Sequence, residues 1–103
     1  MAAFTITHSS IEGPDDFGEK LTKLPEPRIY GTSQEERDAV KNGTAGKGTH
    51  FKLYDDDDNC YFTGYFFGDA DDEEAFEPLD WATYDAGCTY IKYRQPNGKY
   101  ETL

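Results

Sequence analysis

The chain has 103 residues and a formal net charge of -11, with 21 acids against 10 Lys and Arg. A domain of this size hides roughly two-thirds of the surface of its unfolded chain, so one modest core over residues 1–103 is available and a second is excluded. No apolar run approaches the roughly 18 residues of a membrane span, and MAAFTITHSS has neither a basic region nor an apolar stretch, so a cytoplasmic protein without a membrane partner is expected.

Leu, Ile, Val and Phe supply only 17 residues, which with this charge falls in the zone of disordered chains. Eight Tyr and one Trp add the missing burial, so a small aromatic domain is expected instead. Ala3 to Ser9 alternates Phe4, Ile6 and His8 with Thr5 and Thr7, the period of a half-buried strand, and would turn His8 inward. Ile11 to Pro27, punctuated by Gly13, Pro14, Gly18, Pro25 and Pro27, reads as a long connection with at most one helical turn around Gly18 to Leu24. Thr32 followed by Glu35 resembles a capping box, so Ser33 to Asn42 is a short helix stopped by Gly43.

GTAGKGTH, Gly43 to His50, fails as a phosphate loop, which needs Gly where Lys41 stands and Ser or Thr where Gly48 stands. It feeds a strand, Thr49 to Asp55, with Phe51 and Leu53 on one side and His50, Lys52 and Tyr54 on the other. After a DDDDN turn, Cys60 to Phe67 is aromatic on both faces and belongs in the middle of a sheet. Ala75 to Glu77 reads as a further short strand, and Pro78 opens a brief helix closed by Gly87. Cys88 to Arg94 and Lys99 to Leu103 form a hairpin on QPNGK, whose Gly98 suits a left-handed turn position. The expected fold is α+β: an antiparallel sheet of four to five strands with one or two short helices on one face.

Between Asp55 and Asp85 stand nine Asp and three Glu with no Lys or Arg, while the remaining residues come to +1. Eleven of the sixteen aromatics lie between Tyr54 and Tyr93, so this block folds and presents its carboxylates outward. Two carboxylates ~7 Å apart repel by only about 0.6 kcal/mol before screening, yet twelve without an interleaved base accumulate a penalty that scattered lysines would remove. Segregation therefore points to a face that docks on a basic groove, since proteins that hold nucleic acid line their grooves with Lys and Arg. The partner-binding candidates are Asp55, Asp56, Asp57, Asp58, Asp69, Asp71, Asp72, Glu73, Glu74 and Glu77, with Tyr54, Tyr61 and Trp81 as packed contacts and Tyr65 and Tyr84 as further aromatic candidates.

A short, strongly acidic chain with β-hairpins resembles the DNA-mimic inhibitors of phages and mobile elements: anti-restriction proteins, anti-CRISPR proteins and the uracil-DNA glycosylase inhibitor. The last is similar in its ending, on Glu77 to Trp81 and the Asn-Gly hairpin from Gln95 to Tyr100. The resemblance implies a non-catalytic inhibitor in a host cell's cytoplasm that blocks a basic protein such as a CRISPR effector, a restriction enzyme or a glycosylase. The alternatives are an adaptor with a merely solvating acidic face and a weak calcium-binding module. For the last, the EF-hand pattern fails twice: Cys60 stands where Asp55, Asp57 and Asn59 need a following Gly, and Glu74 after Asp69, Asp71 and Glu73. No cofactor or metal site is expected, no nucleophile has an activating neighbour, and two thiols, Cys60 and Cys88, are expected to be buried and reduced. Direct nucleic-acid contact is disfavoured by the sign of the net charge, with no basic cluster larger than Lys92, Arg94 and Lys99.

Overall fold

A computed structural model describes residues 3–10, 21–31, 33–69 and 73–103. Its elements are β1 (Ala3–Ser9), β2 (Thr22–Gly31), α1 (Gln34–Asn42), β3 (Thr49–Tyr54), β4 (Cys60–Phe67), a 3-10 turn (Glu73–Phe76), α2 (Glu77–Ala86), β5 (Tyr90–Arg94) and β6 (Tyr100–Thr102). The fold is α+β, and all strand pairs are antiparallel in one sheet of order β2-β1-β4-β3-β5-β6. No helix among the described residues is long and apolar enough to cross a membrane.

β4 occupies the interior position that its two-sided aromatic pattern requires. Its approach to β1 is set by Gly64, where a Cβ would stand 1.8 Å from the Thr5 carbonyl oxygen, so no side chain fits between these strands. One face of the sheet buries Phe4, Ile6, Phe51, Leu53, Phe62, Phe66, Ile91 and Tyr93 under the 3-10 turn and α2. Trp81 of α2 meets Phe62 at 4.9 Å, Tyr30 at 5.0 Å and Phe4 at 6.0 Å between ring centroids, an aromatic knot within the favourable range of separations. The Tyr93 hydroxyl donates to the Ala75 carbonyl at 2.7 Å and fastens the 3-10 turn to the core. Val40 and Lys41 of α1 close a cleft over Thr5, Ile29 and Phe67 on the β1–β2 side.

The structure departs from the sequence expectation at five places. The sheet has six strands, because Thr22–Gly31, read as connection, is edge strand β2. Pro25 and Pro27 misled the reading. The β1–β2 register jumps from Arg28 to Lys23 opposite Ile6 and His8, so both prolines sit in a bulge of an edge strand, where no ladder hydrogen bond is asked of them. The expected helical turn near Gly18 to Leu24 is absent where described, since Thr22 to Leu24 is strand; Gly18 to Lys20 lie outside the described residues.

The N-cap of α1 is Ser33 and not Thr32, which is also outside them. The Ser33 hydroxyl accepts from the Glu36 N–H at 3.2 Å, so the capping box is shifted by one residue. Ala75 to Glu77 forms no strand; Ala75 is buried in the 3-10 turn that Pro78 extends into α2. Finally, the bulge between Ile6 and His8 places His8 opposite Thr63, so it leaves the buried face that Ile6 occupies.

Candidate functional site

The acids of the block divide into two groups at opposite ends of β4, whose eight residues span roughly 23 Å. In the β3–β4 turn, the Asp55 carboxylate accepts from the N–H groups of Asp57 and Asn59, each at 2.9 Å, and from the Asn59 amide at 3.2 Å. The Asn59 N–H foremost holds its carboxyl below the usual carboxylate range, and Tyr61 also bonds to it. Asp58 takes φ 63° and accepts from the Tyr90 hydroxyl. Asp55 and Asp58 therefore shape the turn, while Asp56 and Asp57 stand exposed.

Asp69 follows β4, Glu73 and Glu74 lie in the 3-10 turn, and Glu77 is in the first turn of α2. Asp71 and Asp72 lie outside the described residues. α2 then runs back toward the other acidic group, because the Thr89 N–H just beyond it donates to the Tyr54 carbonyl at 2.8 Å, beside the β3–β4 turn. On α2, Glu77, Asp80 and Tyr84 follow at steps of three and four and share one outward stripe, with neighbouring Cβ atoms ~5–6 Å apart. Burial foremost, and then the like charges of Glu74, Glu36 and Asp80, push the Glu77 carboxyl up. Tyr84 is 97% exposed, an aromatic ring standing in that stripe without a partner among the described residues. Trp81 is chiefly a core residue, its flank opening beside Glu77 and Asp80 in a cleft of about 310 Å3. Tyr61 packs partly against the core near Asp55, whereas Tyr54 lies on the other face of the sheet.

That other face carries a second constellation. Register places Tyr65 beside His50 and Arg94 beside Tyr100 in one cross-strand row; Thr63, Lys52, Lys92 and Thr102 in the next; and Cys60, Tyr54 and Tyr90 in a third. The Lys52 Nζ lies 4.1 Å from the Tyr100 ring centre, and the Lys92 Nζ 5.3 Å from Tyr54, whose ring stacks on Tyr90 at 4.9 Å. His50 Nδ1 and the Tyr100 hydroxyl are 2.7 Å apart. Burial first, then Lys52, Arg94 and His8, depress the His50 pKa and favour the neutral imidazole. Sequence reading recorded these outward residues strand by strand but missed their assembly, because Lys52 and Lys92 meet only through the β3–β5 pairing.

Among the described residues no three His, Cys, Asp or Glu side chains converge to hold a metal ion. Cys60 and Cys88 are unpaired; Cys88 is buried, which pushes its thiol up to about 12, while Cys60 is only half-buried. No protein-family model, no curated protein and no solved structure matches the chain.

Proposed function

We propose that this chain is a non-catalytic interaction module of the cytoplasm whose acidic layer fills a basic, nucleic-acid-binding groove of another protein, in the manner of a DNA-mimic inhibitor. The observation that carries the reading is the α2 stripe: Glu77 and Asp80 with the fully solvated Tyr84, preceded by Glu73 and Glu74. A helix fixes carboxylates at regular spacing along its axis, ~1.5 Å per residue, which a solubilising coat does not require. Carboxylates in that row meet Lys and Arg side chains as phosphates do, and charge complementarity of this kind speeds encounter more than it tightens the final complex. Tyr84 supplies the packed contact that charge lacks, since tyrosine is among the residues that dominate interface energies. Asp56 and Asp57 extend the negative field at the far end of the helix.

The test is capture from the native host at low salt, with mass spectrometry, comparing the chain with a Glu74→Lys, Glu77→Lys, Asp80→Lys triple variant and with Tyr84→Ala. A basic nucleic-acid-binding protein should be retained by the unaltered chain, displaced by duplex DNA, and lost with the triple variant. Tyr84→Ala should weaken retention at least tenfold while the circular dichroism spectrum is unchanged, because a ring this exposed contributes nothing to the core. Equal retention by the triple variant, or indifference to DNA, reduces the acidic layer to a coat.

A further inference from the structure

We infer that the open face of the sheet is a binding surface for single-stranded nucleic acid, separate from the acidic helical layer and independent of its proposed role. Three features of that face converge on this ligand. The first is the middle row, where Lys52 and Lys92 stand directly opposite each other on neighbouring strands. Like charges in that position destabilise a sheet, and both ammonium groups turn away, Lys52 toward Tyr100 and Lys92 toward Tyr54. An anion lying along the row removes the repulsion, and Arg94 adds a third cation one row away.

The second feature is the pair of aromatic rows that flank the cations: Tyr65, His50 and Tyr100 on one side, Tyr54 and Tyr90 on the other. A cationic track between aromatic side chains is how proteins hold single strands, with phosphates on the charges and bases on the rings. A phosphate that draws the Lys52 ammonium off the Tyr100 ring uncovers that ring for a base, and Tyr65 is already 41% exposed. A carboxylate-rich peptide would satisfy the cations and leave both rows unused. The third is the sheet itself, which on this side no described helix covers over β3, β5 and β6 and which puts these groups on a rigid surface. Paired bases in a duplex offer no ring faces to such a surface. The net charge of -11 is not spread evenly: the acids of α2 lie behind the sheet, roughly 10 Å away, beyond a screening length of about 8 Å at physiological salt, while Asp58, bonded to the Tyr90 hydroxyl, borders only the third row, at the end of the face away from Arg94.

The experiment is fluorescence anisotropy with labelled 12-mers of deoxythymidine and of uridine, a duplex of equal length, and a 12-residue glutamate peptide. Saturable binding of a single strand is expected, at least tenfold tighter than duplex or peptide. With three phosphates neutralised, log K against log salt should have a slope of about -2. The Lys52→Gln, Lys92→Gln double variant should lose at least tenfold and bring the slope toward -1, Tyr100→Leu should lose at least fivefold, and Asp80→Lys should lose nothing. Should the double variant fail to fold by circular dichroism, Lys92→Gln alone supplies the comparison. Absence of saturable binding, glutamate peptide binding as tightly as the oligonucleotides, or full binding by a folded lysine variant each overturns the assignment.

Discussion

Replacing Tyr93 by Phe tests whether the acidic layer is held stiffly. The Tyr93 hydroxyl donates to the Ala75 carbonyl, and both residues are buried, so no water takes the place of the phenol in the variant. Loss of one buried hydrogen bond with its acceptor left short of a partner costs about 1.5 kcal/mol. For a domain of 103 residues this lowers the melting temperature by roughly 6 to 12 °C, since each kcal/mol is worth about 4 to 8 °C. Thermal melts by circular dichroism read the shift, and urea titration should give the same midpoint change with an unaltered slope. The bond joins β5 to the turn that carries Glu73 and Glu74, so amide exchange in residues 73–76 should accelerate more than in β3 or β4. A melting temperature within 2 °C of the original, or acceleration spread evenly over the sheet, would refute the claim that this contact anchors the carboxylates.

Three further substitutions probe the scaffold and its titration. Gly64→Ala drives a Cβ to 1.8 Å from the Thr5 backbone and should cost more than about 3 kcal/mol, abolishing cooperative melting, whereas Gly98→Ala, at φ 84° in open space, should cost about 1 kcal/mol. Comparable melting of the two variants would contradict the close approach of β1 and β4. Tyr90, pushed up to about 12 first by its bond to Asp58, contributes stability that is present in full below pH 10 and is lost as pH rises from 10 toward 12. Denaturant titrations of the unaltered chain and of Tyr90→Phe should therefore converge across that window, and a constant gap would show that the phenol does not titrate against Asp58.

The elements with a strong local signal were legible in the chain. Phe51 and Leu53 against His50, Lys52 and Tyr54 defined β3 and its buried side, and the two-sided aromatic run of β4 predicted its interior place. Gly98, with φ 84°, and the Gln95 N–H bonded to the Lys99 carbonyl at 2.7 Å make the expected hairpin. What was illegible is non-local. Nothing near Pro25 and Pro27 announces an edge strand, because the permission to place prolines there comes from β2 standing last in the strand order and from the bulge beside Thr7. The same limit hid the side of His8, which one extra residue in β1 reverses, since a slip of one exchanges the two faces. At the site, the acids were visible as a run, but their division into two ends follows from β4 lying between them. The turn-shaping roles of Asp55 and Asp58 follow from hydrogen bonds that a composition count does not contain.

The sheet also answers why no lysine interrupts the acidic block. Charges of both signs are present, and the fold sorts them: Lys52, Lys92 and Arg94 project from one face, while Glu77, Asp80 and Asp85 stand on the helix that covers the other. Interleaving them would have relieved repulsion on both sides, a gain of a few tenths of a kcal/mol per pair, and would have left two neutral surfaces with no preference for a charged partner. The cross-strand Lys52 and Lys92 pair bears on this, because a solubility argument covers excess acid but gives no reason to set two cations opposite each other in a chain so short of them. The cations of the sheet face and the acids of α2 are thus held apart by the aromatic core, the arrangement on which both proposed binding roles rest.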